Sequence, residues 1–164
     1  MALVKDTRIN TLHTLLSGIY GRPVPVDATA KFEPGPVKPC AAAIYVDNQD
    51  QPVGLLICTL AAAGYLGAAL SLLPKSVADD CIKKAVLDPA LLENFQEVAN
   101  ICSSLFTEHI GTRVHLKTTV AKLTAPPPEL KAFLQSAVRT DVTLEIPGYG
   151  PGFISIRMAK AVST

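Results

Sequence analysis

The sequence predicts a mixed α/β (α+β) protein made of two related halves, each with a helix, a strand and a hairpin. The first observation is a repeat, because residues 3–32 resemble residues 93–122 at a constant offset of 90. The second is that two apolar strands joined by a turn-rich linker follow each copy. The identical positions of the repeat are Asn10, Leu15, Gly21, Val24 and Thr29 in the first copy, and Asn100, Leu105, Gly111, Val114 and Thr119 in the second.

The chain of 164 residues has a suitable length for one domain. We therefore predict a single domain over residues 1–164, with pseudo-repeats at approximately 3–60 and 93–158. The first hairpin is predicted to consist of Ala41–Val46 and Val53–Leu60, joined by the polar residues 47–50. The second is predicted to consist of Val138–Ile146 and Gly152–Met158, joined by the glycine- and proline-rich residues 147–151.

Further helices are predicted between and after these elements. Apolar spacing favours helices over Ala61–Leu73, Ser76–Leu87 and Pro128–Val138. Asp88 followed by Pro89 is typical of a helix start, and this helix is predicted to continue to Gly111. Its buried stripe is predicted to contain Phe95, Val98, Ala99, Cys102, Leu105 or Phe106, and His109.

The composition excludes several classes of protein. Charged residues make up 18% and hydrophobic residues 49% of the chain, which argues against disorder and coiled coils. Because 15 Lys and Arg are nearly balanced by 14 Asp and Glu, the chain lacks the excess of positive charge that binds nucleic acid. Lys5, Asp6 and Arg8 stand where a signal peptide needs an apolar run, so we expect a cytoplasmic protein.

The four cysteines predict no metal site. Cys40, Cys58, Cys81 and Cys102 lie about twenty residues apart, without a CxxC pair or a histidine at ligand spacing. Cys58 and Cys102 lie in apolar runs and are predicted to be small core residues. We expect no metal or cofactor of the protein's own.

One segment allows two interpretations. The stretch Gln51–Pro74 carries no charged residue and is long enough to span a bilayer. Alternatively, it is a buried strand followed by a small-residue-rich helix. The repeat favours the second interpretation, because Val53–Leu60 matches Gly152–Met158, which contains Ser155 and Arg157. We therefore expect no membrane insertion.

The predicted helix after Asp88 also has a polar face. At about 100° per residue, Glu93, Glu97 and Asn100 fall within roughly 60° of arc, with Ser104 further along the same side. Glu97 can pair with a cation, and the Asn100 carboxamide can both donate to and accept from a water molecule. Such residues are usually just solvated surface. Asn is a poor helix former, however, and it recurs at Asn10, where Thr7 replaces the glutamate.

Glu97-Val98-Ala99-Asn100, preceded by Glu93 in a duplicated helix–strand–hairpin chain, resembles the motif of the CheC/CheX/FliY chemotaxis phosphatases. The resemblance covers essentially the whole chain. It implies two long helices packed on a central, mainly antiparallel sheet of about six strands. The family's proline about twenty residues later would fall near Lys122, whereas the nearest prolines here are at 126–128. With one complete Glu–Asn pair, the chain looks most like CheX.

The resemblance implies a protein aspartyl-phosphate phosphatase whose partner is a phosphorylated CheY-like response regulator. Asn100 would orient the attacking water and Glu97 would pair with the regulator's active-site Lys, with Glu93 and Ser104 as partner contacts. Thr7 and Asn10 would be a degenerate second site. Mg²⁺ would belong to the regulator, and homodimerisation through the sheet would be expected, as in CheX. The alternative is a non-catalytic interaction module or a flagellar-switch-like module of the same fold.

Overall fold

The computed structural model describes residues 6–161, so residues 3–5 of the first predicted copy lie outside it. This part of the chain contains six α-helices and six strands. They are α1 (Thr7–Tyr20), β1 (Val26–Ala28), β2 (Cys40–Val46), β3 (Pro52–Thr59), α2 (Leu60–Leu70), α3 (Lys75–Lys84), α4 (Pro89–Ile101), α5 (Ser103–Ile110), β4 (His115–Leu123), α6 (Lys131–Ser136), β5 (Val138–Ile146) and β6 (Gly150–Met158).

All six strands form one antiparallel sheet with the order β1-β5-β6-β3-β2-β4. The strand after each repeated helix pairs with the hairpin of the other half, since β1 lies beside β5 and β4 lies beside β2. The two hairpins meet at the centre, where β3 pairs with β6. Because the halves exchange strands in this way, neither half can complete its own part of the sheet alone. The predicted fold class is confirmed.

The two repeated helices end with matching hydrogen bonds. The Gly21 amide donates to the Ser17 carbonyl at 2.9 Å, and the Gly111 amide donates to the Thr107 carbonyl at 3.0 Å. Both glycines have positive φ, 66° and 88°. This left-handed conformation favours glycine and stops the helix. The offset of 90 in the sequence thus corresponds to equivalent backbone geometry.

The chain after each glycine is held in the same way as well. The Val24 amide donates to the Ser17 hydroxyl at 3.0 Å, and the Val114 amide donates to the Thr107 hydroxyl at 3.1 Å. Both valines are buried. A short hydroxyl side chain in the last turn therefore directs the chain from helix to strand in each copy.

Five helices pack on one face of the sheet and form the larger core. A close approach between helices lies at Gly67 of α2, where an added Cβ would be 2.9 Å from the Leu91 carbonyl oxygen of α4. Gly152 similarly lets β6 approach Ala62 of α2. Small residues in α2 thus place α4 close to the sheet.

The opposite face of the sheet is covered by the irregular segment 29–39 and by α6. Phe32 from that segment and Phe133 from α6 pack against a second apolar cluster that includes Leu55 and Ile57. Beside it, the Phe32 amide donates to Asp141 at 3.0 Å. An ionic network continues from there through Arg139, Glu33, Arg157 and Ser155.

The uncharged stretch Gln51–Pro74 contains β3 and α2, as the repeat predicted. No helix within residues 6–161 is long and apolar enough to cross a membrane. The helix predicted over Ala61–Leu73 begins at Leu60 and ends at Leu70, shortly before Leu72, which has a positive φ of 56°. Its small residues pack against both the sheet and α4.

Other predicted helix bounds were wrong. The helix predicted over Ser76–Leu87 runs from Lys75 to Lys84, because Ala85 adopts the left-handed conformation. The segment Pro128–Val138 divides into a short 3₁₀ turn and α6, and Val138 already belongs to β5. The helix predicted to run unbroken from Pro89 to Gly111 is interrupted at Cys102.

Candidate functional site

The candidate site lies on the exposed side of α4. Asp88 caps this helix, since its carboxylate accepts the Leu91 amide at 2.8 Å, and Pro89 follows at the first helical position. Glu93, Glu97 and Asn100 are all exposed, as the amphipathic spacing predicted. A carboxylate and a carboxamide one turn apart on a helix have their Cβ atoms about 5–6 Å apart. The two groups can therefore contact one partner together.

Three contacts of α4 with its surroundings keep this exposed face in place. The buried side of the helix carries Leu91, Phe95, Val98 and Ala99. The Asn94 side-chain amide donates to the Gly67 carbonyl at 3.0 Å and to the Ser71 hydroxyl at 2.7 Å, both from α2 or its end. Asn94 is thus occupied by intramolecular bonds, whereas Asn100 is exposed to solvent and available to a partner.

The third contact comes from a residue for which the sequence predicted no role in the site. Tyr45 of β2 is fully buried, and its hydroxyl donates to the Ala99 carbonyl at 2.6 Å. Its ring packs against Phe106 of α5, with ring centroids 4.3 Å apart. Burial raises the pKa of the Tyr45 phenol well above its ordinary range, so the hydroxyl remains a donor.

Tyr45 could have been noticed in the sequence. It is the one bulky polar-tipped residue in a strand of small and aliphatic side chains, CAAAIYV. A buried tyrosine hydroxyl needs a hydrogen-bond partner, so this position predicts an internal polar contact. The sequence does not indicate, however, that the partner is a backbone carbonyl beside Asn100.

Ser104 lies beyond the interruption of the helix. It is exposed on α5, whereas Glu93, Glu97 and Asn100 belong to α4. The Leu105 amide bonds to the Cys102 carbonyl at 3.0 Å, three residues back, which is a tighter turn than an α-helix makes. An arc calculated for one straight helix therefore does not place Ser104 correctly relative to the other three residues.

A further exposed residue, which the sequence pattern did not indicate, is Ile101. This residue is 42% exposed and follows Asn100 directly. A solvent-facing isoleucine one turn after Glu97 gives this face both apolar and acidic groups. Single exposed apolar residues are common, so Ile101 alone does not define a binding surface.

The predicted degenerate site lies on α1, and Thr7 and Asn10 are both exposed there. Thr7 lines a cavity of about 530 Å³ together with Asp6, Arg8 and His109. Asn10 lines another, of about 400 Å³, together with His13 and Asp27. The structure therefore separates the two residues into different surroundings.

An ion pair and a hydrogen bond to β5 hold the start of α1 in place. Arg8 binds the Asp6 carboxylate with two side-chain hydrogen bonds, of 2.9 and 3.0 Å, and the Thr140 hydroxyl donates to it at 2.8 Å. Burial opposes ionisation of Asp6, but these bonds outweigh it and lower its pKa to about 2. This carboxylate is a cap and an anchor to β5, and it differs in both position and bonding from the exposed Glu97.

The cysteines are free and buried, which confirms Cys58 and Cys102 as core residues. His109, predicted to lie in the buried stripe, is only partly buried, and its ring bonds to the Thr11 hydroxyl at 2.9 Å. Among residues 6–161, no group of three or more His, Cys, Asp or Glu side chains could hold a metal ion.

Comparison with known proteins identifies the fold. No protein-family model and no curated protein matches the sequence. FliY from Thermotoga maritima is similar in structure, with a TM-score of 0.61 and 11% identity over 96% of this chain and 92% of that chain. CheX in the CheX–CheY–BeF₃–Mg²⁺ complex from Borrelia burgdorferi has a TM-score of 0.54 and 11% identity, over 93% and 96%.

FliM in the FliM–SpeE complex from H. pylori has a TM-score of 0.56 and 13% identity, over 96% of this chain and 90% of that one. The chain therefore has the fold shared by CheX, FliY and the middle domain of FliM. The resemblance predicted from Glu97 and Asn100 is confirmed at the level of the fold. Because this fold carries different functions, activity has to be argued from the site.

Proposed function

We propose that this protein is a phosphatase that hydrolyses the aspartyl phosphate of a CheY-like response regulator. The observation that carries the proposal is the exposed pair Glu97 and Asn100, one turn apart on a helix held firmly from beneath. The similarity in fold to a CheX that was crystallised with CheY supports a regulator of this kind as the partner.

The chemistry requires little from the phosphatase itself. A water oxygen attacks the phosphorus atom, the bond from phosphorus to the regulator's aspartate oxygen breaks, and inorganic phosphate and a free carboxylate result. Positioning and electrostatics supply most of the catalysis in phosphoryl transfer. The Asn100 carboxamide can orient the water through its donor and acceptor atoms, and Glu97 can pair with the regulator's Lys. We assign the Mg²⁺ to the regulator.

The face around the pair suits a protein substrate. Glu93 precedes Glu97 by one turn, Ser104 follows on α5, and all three are exposed. We propose Glu93 and Ser104 as partner contacts. Acidic groups on this face would attract a basic region of the regulator and fix its orientation.

The test is the decay of a phosphorylated CheY-type receiver domain in Mg²⁺ buffer. We expect the wild-type protein to accelerate the decay and Asn100→Ala to lose about 100-fold or more of that acceleration, because a preorganised water is lost. Asn10→Ala is the matched control, since it removes the same side chain from the equivalent position of the other copy. Equal decay with and without the wild-type protein would refute the proposal.

A second candidate function is a non-catalytic interaction module. The fold is shared with FliM, which was crystallised in complexes with FliG and with SpeE. In this case the acidic face of α4 would serve for docking only. Capture of a receiver domain without faster loss of its phosphate would favour this function over the phosphatase.

We also propose that the protein forms a homodimer through its sheet and works in the cytoplasm. In the part of the chain that the structure describes, β4 is an edge strand paired with β2 alone, and unpaired strand edges are suited to strand addition by a second copy. Sedimentation equilibrium should give twice the monomer mass, and a proline at Thr119 should reduce it. Fractionation of cells tests the location.

A further inference from the structure

We infer that Tyr45 is a positioning residue for Asn100, acting through the Ala99 carbonyl. This inference rests on the proposed function, because the position of Asn100 matters only if its carboxamide orients a water. It goes beyond that function by assigning a role to a buried strand residue that lies outside the exposed motif.

The contact is well placed for this role. The Ala99 carbonyl belongs to the peptide plane that joins Ala99 to Asn100. A hydrogen bond of 2.6 Å from Tyr45 holds this plane, and the plane determines the direction in which the Asn100 Cα–Cβ bond leaves the helix. Fixing one peptide plane thus fixes the origin of the Asn100 side chain relative to the sheet.

The tyrosine is itself rigid. Tyr45 pairs with Gly54 of β3 across the strands, and Phe106 occupies the space beside both residues. A Cβ added to Gly54 would lie only 2.4 Å from the Phe106 ring, so glycine is needed there for the ring to fit. The pairing of β2 with β3 and the contact with the Phe106 ring therefore fix the position of the Tyr45 hydroxyl.

Helix α4 ends close to this hydrogen bond. In a regular helix the Ala99 carbonyl would accept only the Ser103 amide. A side chain that inserts a hydrogen bond into this series is a known cause of a bend. The helical run is interrupted at Cys102, three residues after Ala99. In the other copy, α1 runs without interruption from Thr7 to Tyr20. The interruption thus occurs only in the copy that retains the Glu–Asn pair.

Tyr45→Phe tests the inference, because it removes one oxygen and keeps the ring packed on Phe106. We expect kcat for receiver dephosphorylation to fall about tenfold, while KM for the phosphorylated receiver changes less than about twofold. We expect little change in KM because Glu97 lies before the interruption and keeps its position for binding the regulator. Tyr20→Phe is the matched control, since the Tyr20 hydroxyl donates to the Leu66 carbonyl of α2 at 2.7 Å, away from the site.

A second measurement is independent of activity. In amide NMR spectra we expect Tyr45→Phe to shift the signals of residues 100–103 and of the Asn100 side-chain amide, and Tyr20→Phe to leave them in place. If Tyr45→Phe does not fold, Phe106→Leu loosens the same ring and should lower kcat with little change in KM.

The outcomes separate the inference from the proposed function. If wild-type protein does not accelerate phosphate loss, the phosphatase proposal fails and the NMR shifts alone decide whether Tyr45 positions Asn100. Wild-type kcat in Tyr45→Phe, or shifts no larger than those of Tyr20→Phe, would overturn the inference. A fall of kcat and a shift of these signals in Tyr45→Phe alone would support it.

Discussion

The two repeated helices end identically and differ at the place where chemistry is expected. Ser17 and Thr107 close the two copies with equivalent bonds, and Gly21 and Gly111 stop both helices. The second copy, however, is clamped by α2 and by Tyr45 just below its exposed Glu–Asn pair. The fold therefore requires the helix end in both copies, while the bonds of Asn94 and Tyr45 support the helix beneath the Glu–Asn pair in the second copy.

The close packing of α2 against α4 gives the largest expected effect on stability. Gly67→Ala should destabilise the protein by about 2 kcal/mol, because the new Cβ would lie 2.9 Å from a backbone oxygen of α4 that cannot rotate away. Urea unfolding measures this change. Gly18→Ala on α1 is the matched control, since within residues 6–161 no atom outside the backbone of α1 lies within 4 Å of its Cβ position. It should stabilise by about 0.5–1 kcal/mol.

Equal effects of Gly67→Ala and Gly18→Ala would show that α4 is not held by close backbone contact. The sequence could suggest such a contact, because Gly64 and Gly67 lie in an alanine-rich helix. It could not identify the oxygen of Leu91 as the opposing atom, since that depends on the angle at which two helices cross. Packing partners of this kind come from the tertiary structure.

The exposed pair itself gives the next largest effect. Glu97→Gln keeps the size of the side chain and removes its charge, so we expect affinity for a phosphorylated receiver to fall about tenfold. Titration calorimetry, with a receiver held in its active form, measures this affinity. Thr7→Val in the first copy is the control and should leave affinity unchanged. Unchanged binding in Glu97→Gln would show that no cation of the partner pairs with this carboxylate.

Much of the fold and part of the site could be predicted from the sequence. The repeat, both hairpins and the capped start of α4 depend on local patterns, and β5 was predicted with the correct bounds, Val138–Ile146. The exposure of Glu97 and Asn100 follows from helical periodicity. The bond from the Tyr45 hydroxyl to the Ala99 carbonyl could not be predicted, because Tyr45 lies on β2, more than fifty positions earlier in the chain. Long-range contacts of this kind leave no periodic signal.

The matching helix ends give the third largest effect. The loss of stability should be the same in both copies. Ser17→Ala and Thr107→Ala should each cost about 1 kcal/mol, because each leaves the amide of a buried valine without its hydrogen bond. Thermal unfolding compares the two variants directly. The conservative variants Ser17→Thr and Thr107→Ser keep the hydroxyl and should stay near wild type. A large cost in only one copy would mean that the equivalent bonds do not carry equivalent free energy.

The smallest effect concerns the charge that anchors α1. Because the pKa of Asp6 is lowered to about 2 in the folded protein, below about 3.9 in an unfolded chain, its stabilisation is complete above about pH 5. This stabilisation is lost as the pH falls towards 2. Asp6→Asn keeps a capping side chain but loses the Arg8 ion pair, so it should cost up to about 1 kcal/mol at pH 7. Unfolding curves between pH 7 and pH 2 should show this difference shrinking below about pH 5, and a constant difference would mean that the Asp6 carboxylate is not the titrating group.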